Sequence, residues 1–205
     1  RVASSWERVD DTTIRFNLRK GVKFHSGREM TAKDVAFTFD RLKASEDFKG
    51  IFANFTAANI VDDYTVDLVT DGPYPLVEHT ATYIFPLDSE FYTGNDDRGR
   101  DKGEIVKHGD SFASTNISCT GPFTVSAREQ GVEVVFDRFA DYWDTDSPGN
   151  VSKIVFTPIK ENPTRVAALL SGDIDFAAPI PPTDLARIDS NEGTDLVTMS
   201  GTRII

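Results

Sequence analysis

The segment 12–44 constrains the fold more than any other stretch, because it carries two hydrophobic periods in succession. Ile14, Phe16 and Leu18 alternate with polar neighbours, which is the period of a half-buried strand. Lys20-Gly21 turns the chain, and Val22-Lys23-Phe24 extends again before His25-Ser26-Gly27. The period then changes. Ala32, Val35, Ala36, Phe39 and Leu42 follow the i, i+3, i+4, i+7 rule and form one apolar stripe. Thr31 and Asp34 precede that stripe as cap and third helical residue, a capping box with Asp in place of Glu. The spacing therefore predicts a helix over residues 32–44 packed on a sheet.

Similar signals recur along the chain. Ile60-Val61 and residues 65–70 flank Asp62-Asp63-Tyr64 as a hairpin, and Asp71-Gly72-Pro73-Tyr74-Pro75 breaks the chain before a short helix containing Leu76 and Val77. Residues 94–110 are polar with four glycines, which reads as a surface loop and the expected domain boundary. Beyond it, residues 123–127 and 132–136 are expected to pair, and Tyr142 and Trp143 lie in a loop before a strand at 154–157. Asn162-Pro163 opens a helix that Gly172 closes. A strand is expected at Ile174-Asp175-Phe176, a short helix at 184–188 and a strand at 196–199. Strands and helices alternate throughout, so the class is α/β with α+β elements.

Composition excludes several functions. A formal net charge of −11 with scattered Lys and Arg argues against nucleic acid as a partner. One cysteine, Cys119, rules out an internal disulfide and any Cys-based zinc site. No run reaches the roughly 18 apolar residues of a membrane span. The chain opens on Arg1-Val2-Ala3-Ser4-Ser5-Trp6, with no basic-then-apolar leader, and stops inside an apparent strand at Arg203-Ile204-Ile205. Both ends read as cut.

Catalytic and metal motifs fare poorly. His25, His79 and His108 lie at no metal-ligand spacing from one another. Asp144-Thr145-Asp146-Ser147-Pro148-Gly149 imitates the start of a calcium loop, but Val155 stands where a bidentate Glu is required. Asp173 follows a helix-closing glycine and Asp175 is the polar member of an alternating stretch, so neither points to acid–base chemistry. There is no Gly-x-Ser-x-Gly elbow and no phosphate-cradling loop. Sequons stand at Asn54, Asn116 and Asn150, and they matter only where the source glycosylates. No enzymatic activity and no cofactor are expected.

The run from Leu18-Arg19-Lys20-Gly21-Val22-Lys23-Phe24 through Ser26-Gly27 to Met30-Thr31-Ala32-Lys33-Asp34-Val35 resembles a signature of the dipeptide, oligopeptide and nickel solute-binding proteins of ABC importers. Further matches keep the order of that family: Val61-Asp62-Asp63-Tyr64-Thr65-Val66, Tyr74-Pro75-Leu76, Thr120-Gly121-Pro122-Phe123, Tyr142-Trp143, Pro163-Thr164-Arg165 and Ser171-Gly172-Asp173-Ile174-Asp175-Phe176. The resemblance implies one lobe of a two-lobed periplasmic-binding-protein-like fold. Residues 1–110 would be the extra α+β domain of the first lobe and 111–205 part of its α/β domain, with the second lobe outside this chain.

It also implies a monomeric receptor, periplasmic or held at the cell surface, that captures a peptide or related small solute and docks on an ABC permease. Two alternatives stay open: the ligand-sensing module of a regulator, and a receptor for a nickel chelate. Places that line the ligand site in relatives hold Phe52 and Phe55, Tyr83 and Phe85, Pro179 and Ile180, and Thr202 and Arg203. Nickel-type relatives carry an arginine near Tyr83, where this chain reads Ala81-Thr82-Tyr83-Ile84-Phe85. No first-sphere metal site is expected.

Overall fold

A computed structural model describes residues 1–106, 111–146 and 149–198. The chain divides into two compact units, one of Arg1–Glu129 and Val134–Val155, the other of Gln130–Glu133 and Phe156–Ile205.

The first unit is built on a four-stranded antiparallel sheet of β1 (Ala3–Arg8), β2 (Thr13–Leu18), β3 (Phe55–Asp62) and β4 (Thr65–Thr70), ordered β1-β2-β4-β3. Register puts Trp6 opposite Phe16, Phe16 opposite Val66, and Ile14 opposite Leu68. Residues directly opposite share a face, so these side chains form one apolar surface. The other face is polar, with the Arg15 guanidinium donating to both carboxylate oxygens of Asp67 at 2.8 Å. One face toward the core and one toward water is what the alternation in β2 requires. β1 carries no such signal: its only large apolar residue is Trp6 among Ser, Glu and Arg, and pairing with β2 makes it a strand. β3 likewise starts earlier than its local pattern predicts, because its ladder with β4 runs back to Phe55.

Helix α1 (Ala32–Ala44) has the bounds predicted from its stripe, and it packs on β3 and β4. Its start is fixed by Asp34, which is completely buried. One carboxylate oxygen accepts the Thr31 N–H at 2.8 Å; the other accepts the Ser89 N–H at 3.0 Å and hydroxyl at 2.7 Å. That second oxygen also meets the Arg28 guanidinium, whose Nε donates to Asp88 at 2.8 Å. Asp88, 1% exposed, also accepts the Ser26 hydroxyl at 2.5 Å and the Ser118 hydroxyl at 3.2 Å. Below α1, Phe39, Phe52 and Phe55 pack with ring centroids 5.5 to 6.1 Å apart, over Ile14, Leu68 and Val77. Helix α2 (Val77–Ala81) follows the Pro-rich break as expected.

The polar stretch after residue 93 is turned in on Asp96, which accepts the backbone N–H groups of Arg98 and Arg100 at 2.9 Å. A short α3 (Phe112–Thr115) leads to a sheet ordered β5 (Phe123–Glu129), β6 (Glu133–Arg138) and β7 (Lys153–Phe156). All but Glu133 and Phe156 of that sheet belongs to the first unit.

The second unit holds α4 (Asn162–Ser171), a 3-10 turn (Pro182–Asp184) and α5 (Leu185–Asp189). Gly172 closes α4 at φ 79°, a left-handed conformation in which glycine costs least. The strands expected at 174–176 and 196–199 do not form over residues 174–176 and 196–198, and Met199 lies outside the described residues. Neither stretch has a ladder partner among the described residues, and Phe176 and Val197 stand 81% and 85% exposed. An extended segment becomes a strand only by pairing.

Two sets of measurements check this account. Asp34→Ala leaves Arg28 to Asp88, and the Thr31 and Ser89 donors unpaired, so it should destabilise the fold by about 1–3 kcal/mol in urea melts, the cost of unsatisfied buried donors. Burial alone would raise both carboxyls, but Arg28 and Ser89 on Asp34, and Ser26 and Arg28 on Asp88, hold them below the usual aspartate range. A lowered folded value means stability that is complete above about pH 4 and is lost as pH falls through the folded values. The urea midpoint should therefore fall on acidification below about pH 4, and Asp34→Ala should flatten that fall. Phe52→Ala, by contrast, opens a core cavity and should cost about 3–5 kcal/mol with no change in the acid limb.

Candidate functional site

The apolar face of the four-stranded sheet is wider than the helix that covers it. A helix of 13 residues is about 20 Å long and about 10 Å across, and α1 spends that width on β3 and β4. The helix also reaches Ile14 and Leu18 of β2, and the core face around Trp6 and Phe16 is left to other neighbours. The chain brings three loops there: residues 82–86 after α2, Cys119-Thr120-Gly121, and Tyr142-Trp143. They enclose a cavity of about 840 Å³.

Its wall is mostly apolar and includes several aromatic rings. Trp6 and Phe16 project from the sheet with ring centroids 6.3 Å apart, and Phe85 and Trp143 come from the loops. Phe85 is 70% exposed and Trp6 38%, an unusual state for such large rings on a folded protein. Arg1, Glu78 and His79 supply charged or polar groups to the lining. The Arg19 guanidinium lies 5.5 Å from the Trp143 ring centroid and holds that ring from outside the cavity.

The loop walls are anchored to the buried cluster. His25 is fixed at both ring nitrogens: Nε2 lies 3.0 Å from the Gly121 carbonyl, and the Cys119 N–H donates to Nδ1 at 3.5 Å. Since a carbonyl only accepts, this is the tautomer with its proton on Nε2. The His25 N–H in turn donates to the Cys119 carbonyl at 2.9 Å. Burial pushes the Cys119 thiol up, and the neighbouring Asp88 charge adds to this, so it is a neutral group in the wall.

The residues expected to line a site are dispersed by the fold. Phe85 faces the cavity, and Tyr83 stands two residues before it, 46% exposed. Phe52 and Phe55 are 0% and 1% exposed, with their rings packed on Phe39, so they present no surface to a solute in this conformation. Pro179 and Ile180 belong to the second unit, where the Pro179 carbonyl accepts two bonds from Arg165, at 3.0 and 2.7 Å. Thr202 and Arg203 lie outside the described residues, as does His108. Among the described residues no cluster of three or more His, Cys, Asp and Glu is placed to hold a metal ion, and no helix is long and apolar enough to cross a membrane. Trp6 and Phe16 were not singled out as site residues from the sequence, and Trp143 entered only as part of a motif. The signal that could have found them is aromatic residues on the exposed edge of a half-covered sheet.

Comparison with known proteins agrees with this architecture. Residues 1–205 match the family described as bacterial extracellular solute-binding proteins, family 5 Middle. The glutathione-binding protein GsiB of Salmonella choleraesuis is 29% identical over 195 residues, which cover 92% of this chain and 35% of that protein. The chain thus spans about a third of the length of such relatives. Among solved structures, a dipeptide-binding protein from Pseudoalteromonas sp. SM9913 in complex with Met-Leu superposes with a TM-score of 0.79 at 22% identity, over 94% of this chain and 40% of that one. NikZ from Campylobacter jejuni in complex with Ni(L-His) gives 0.77 at 20% identity, over 94% and 37%. These likenesses establish the fold as one lobe of the two-lobed periplasmic-binding-protein-like architecture. The chain belongs to the family 5 bacterial extracellular solute-binding proteins.

Proposed function

We propose that this chain is part of an extracytoplasmic receptor that captures a peptide or related small organic solute and delivers it to an ABC permease. Its work is binding and release, with no chemical step. The observation that carries this reading is the apolar cavity of about 840 Å³, with the rings of Trp6, Phe16, Phe85 and Trp143 in its wall. Its size lies within the range of small-molecule sites, roughly 300–1,000 Å³, and its apolar wall with a few polar groups is their usual make-up. GsiB is a glutathione-binding protein and the Pseudoalteromonas protein holds Met-Leu, so two relatives take short peptides. An organic ligand is favoured over a bare metal ion because the cavity lining holds one histidine, His79, and one cysteine, Cys119, whose thiol burial keeps neutral, while the nearby His25 has both ring nitrogens committed to the backbone.

Within this reading, residues 1–110 act as the extra α+β domain of the first lobe and 111–205 as part of its α/β domain. Tyr83 and Phe85 are ligand contacts, with Trp6 and Trp143 added to them. Pro179 and Ile180 are proposed as contacts on the resemblance alone, and so are Thr202 and Arg203, the last as partner of a ligand carboxylate. The receptor acts as a monomer, closing two lobes over its ligand in the periplasm or at the cell surface.

Trp6 and Trp143 both line the cavity, so the part of an emission change that disappears when both are replaced by phenylalanine reports on it. Titrating the complete protein with Met-Leu or glutathione should shift tryptophan emission saturably, and Phe85→Ala should weaken binding about tenfold, the loss of a partly buried ring worth about 1.4 kcal/mol. Saturable binding with an emission change that Phe85→Ala leaves untouched would move the ligand away from this cavity. No binding of any short peptide, together with a DNA-binding domain in the same reading frame, would favour the sensor instead.

A further inference from the structure

Arg165, in the second unit, makes five side-chain hydrogen bonds, two of them to the backbone of Pro179, a proposed ligand contact. It lies in the first turn of α4 and is 8% exposed. An arginine has five N–H donors, and all five are placed here. Nε and one N–H of Nη2 go to the Pro179 carbonyl at 3.0 and 2.7 Å. The other N–H of Nη2 goes to the Asn162 side-chain oxygen at 2.6 Å, and Nη1 reaches the carbonyls of Ile159 and Lys160 at 2.7 and 3.4 Å. Each acceptor is a neutral oxygen. A buried cation held only by dipoles is costly.

What this arrangement achieves is a geometric link. The planar fork joins three places in the unit: the segment entering α4, the helix start, and a loop 14 residues further on that has no secondary structure of its own between Gly172 and the turn at Pro182–Asp184. The loop residues Phe176, Ala178 and Pro179 are exposed, so little packing holds them in place. The Pro179 carbonyl is their strongest visible tether.

We infer that Arg165 is a positioning residue that pre-sets the loop carrying Pro179 and Ile180 for ligand, and so sets affinity without touching the ligand itself. This rests on the receptor reading, in which that loop contacts the solute. Lysine cannot replace it: an ammonium has three N–H groups and no fork, and it cannot grip Pro179 doubly while also holding Ile159 and Asn162. If the loop then spends only about a tenth of its time in the competent arrangement, the apparent Kd rises about tenfold.

The test uses the complete protein and Met-Leu as probe, with wild type, Arg165→Lys and, as a smaller neutral variant, Arg165→Gln. Two readouts are taken: Kd by calorimetry, and backbone amide order parameters from NMR relaxation at Ala177, Ala178 and Ile180. The expected result is lower order at those residues and about tenfold weaker binding in both variants, with order in helix α4 unchanged. A variant that loses order throughout the unit and not at the loop in particular would make Arg165 merely structural and overturn the inference. A looser loop with unchanged Kd would overturn it too, since the loop would then lie outside the binding site. Wild-type protein that binds no short peptide would instead sink the receptor reading on which it rests.

Discussion

The first unit is organised by the pair of carboxylates that share Arg28. One cation between Asp34 and Asp88 leaves the cluster one negative charge in excess, in a place where water reaches neither aspartate. Such an arrangement is stable only if other donors complete it, and the structure supplies them from far along the chain. Ser89 completes Asp34, while Ser26, Ser118 and the amides of Glu90 and Phe91 complete Asp88. The consequence is positional. The start of α1, the segment around residues 88–92 and the stretch entering Cys119 are held to one point, and two of those three lead into cavity walls. The Tyr92 hydroxyl, accepting the Ser118 N–H and donating to the Asn116 carbonyl, extends the same lattice.

From that anchoring follows the cavity. Around Trp6, Phe16 and Leu18 the inner face of the sheet is met by loops as well as by α1. Those loops are pinned by their backbones: Gly121 and Cys119 by His25, Tyr142 by its N–H to the Phe139 carbonyl. Trp6, Phe16 and Trp143 remain as wall.

How much of this was legible in the sequence depends on the range of each interaction. Helix α1 was readable to the residue because its stripe, its Thr31 cap and its Asp34 are local, and Gly172 was readable because only a left-handed turn suits a glycine there. Asp34 was legible as a cap but not as the centre of the cluster: its partner Ser89 is 55 residues away and no period connects them. The convergence of Trp6 with Trp143 is hidden for the same reason. β1 is invisible locally, since five of its six residues are polar or small. The error in the other direction has one cause. Ile174-Asp175-Phe176 has the pattern of a strand, and pattern is a necessary condition that pairing has to complete. Phe52 and Phe55 illustrate a last ambiguity: an aromatic residue near a helix end reads alike whether it faces a solute or the core, and only the ring contacts with Phe39 decide it.

The division of labour between wall and loops bears on what such a receptor can discriminate. Aromatic and aliphatic surface contributes affinity in proportion to area, and one methylene more or less in an apolar pocket changes binding only about 10- to 200-fold. If the proposed site is right, a wall containing Trp6, Phe16, Phe85 and Trp143 would tolerate a range of side chains on a ligand. Sharp discrimination comes from polar groups that must be met or left unpaired, and those need backbones that do not move. Two arginines provide such rigidity. Arg28 joins segments of the first unit through the carboxylates of Asp34 and Asp88, so those two side chains cannot change without loss. Arg165 holds its loop by a carbonyl, so the side chains that loop carries can change while the main chain keeps its place.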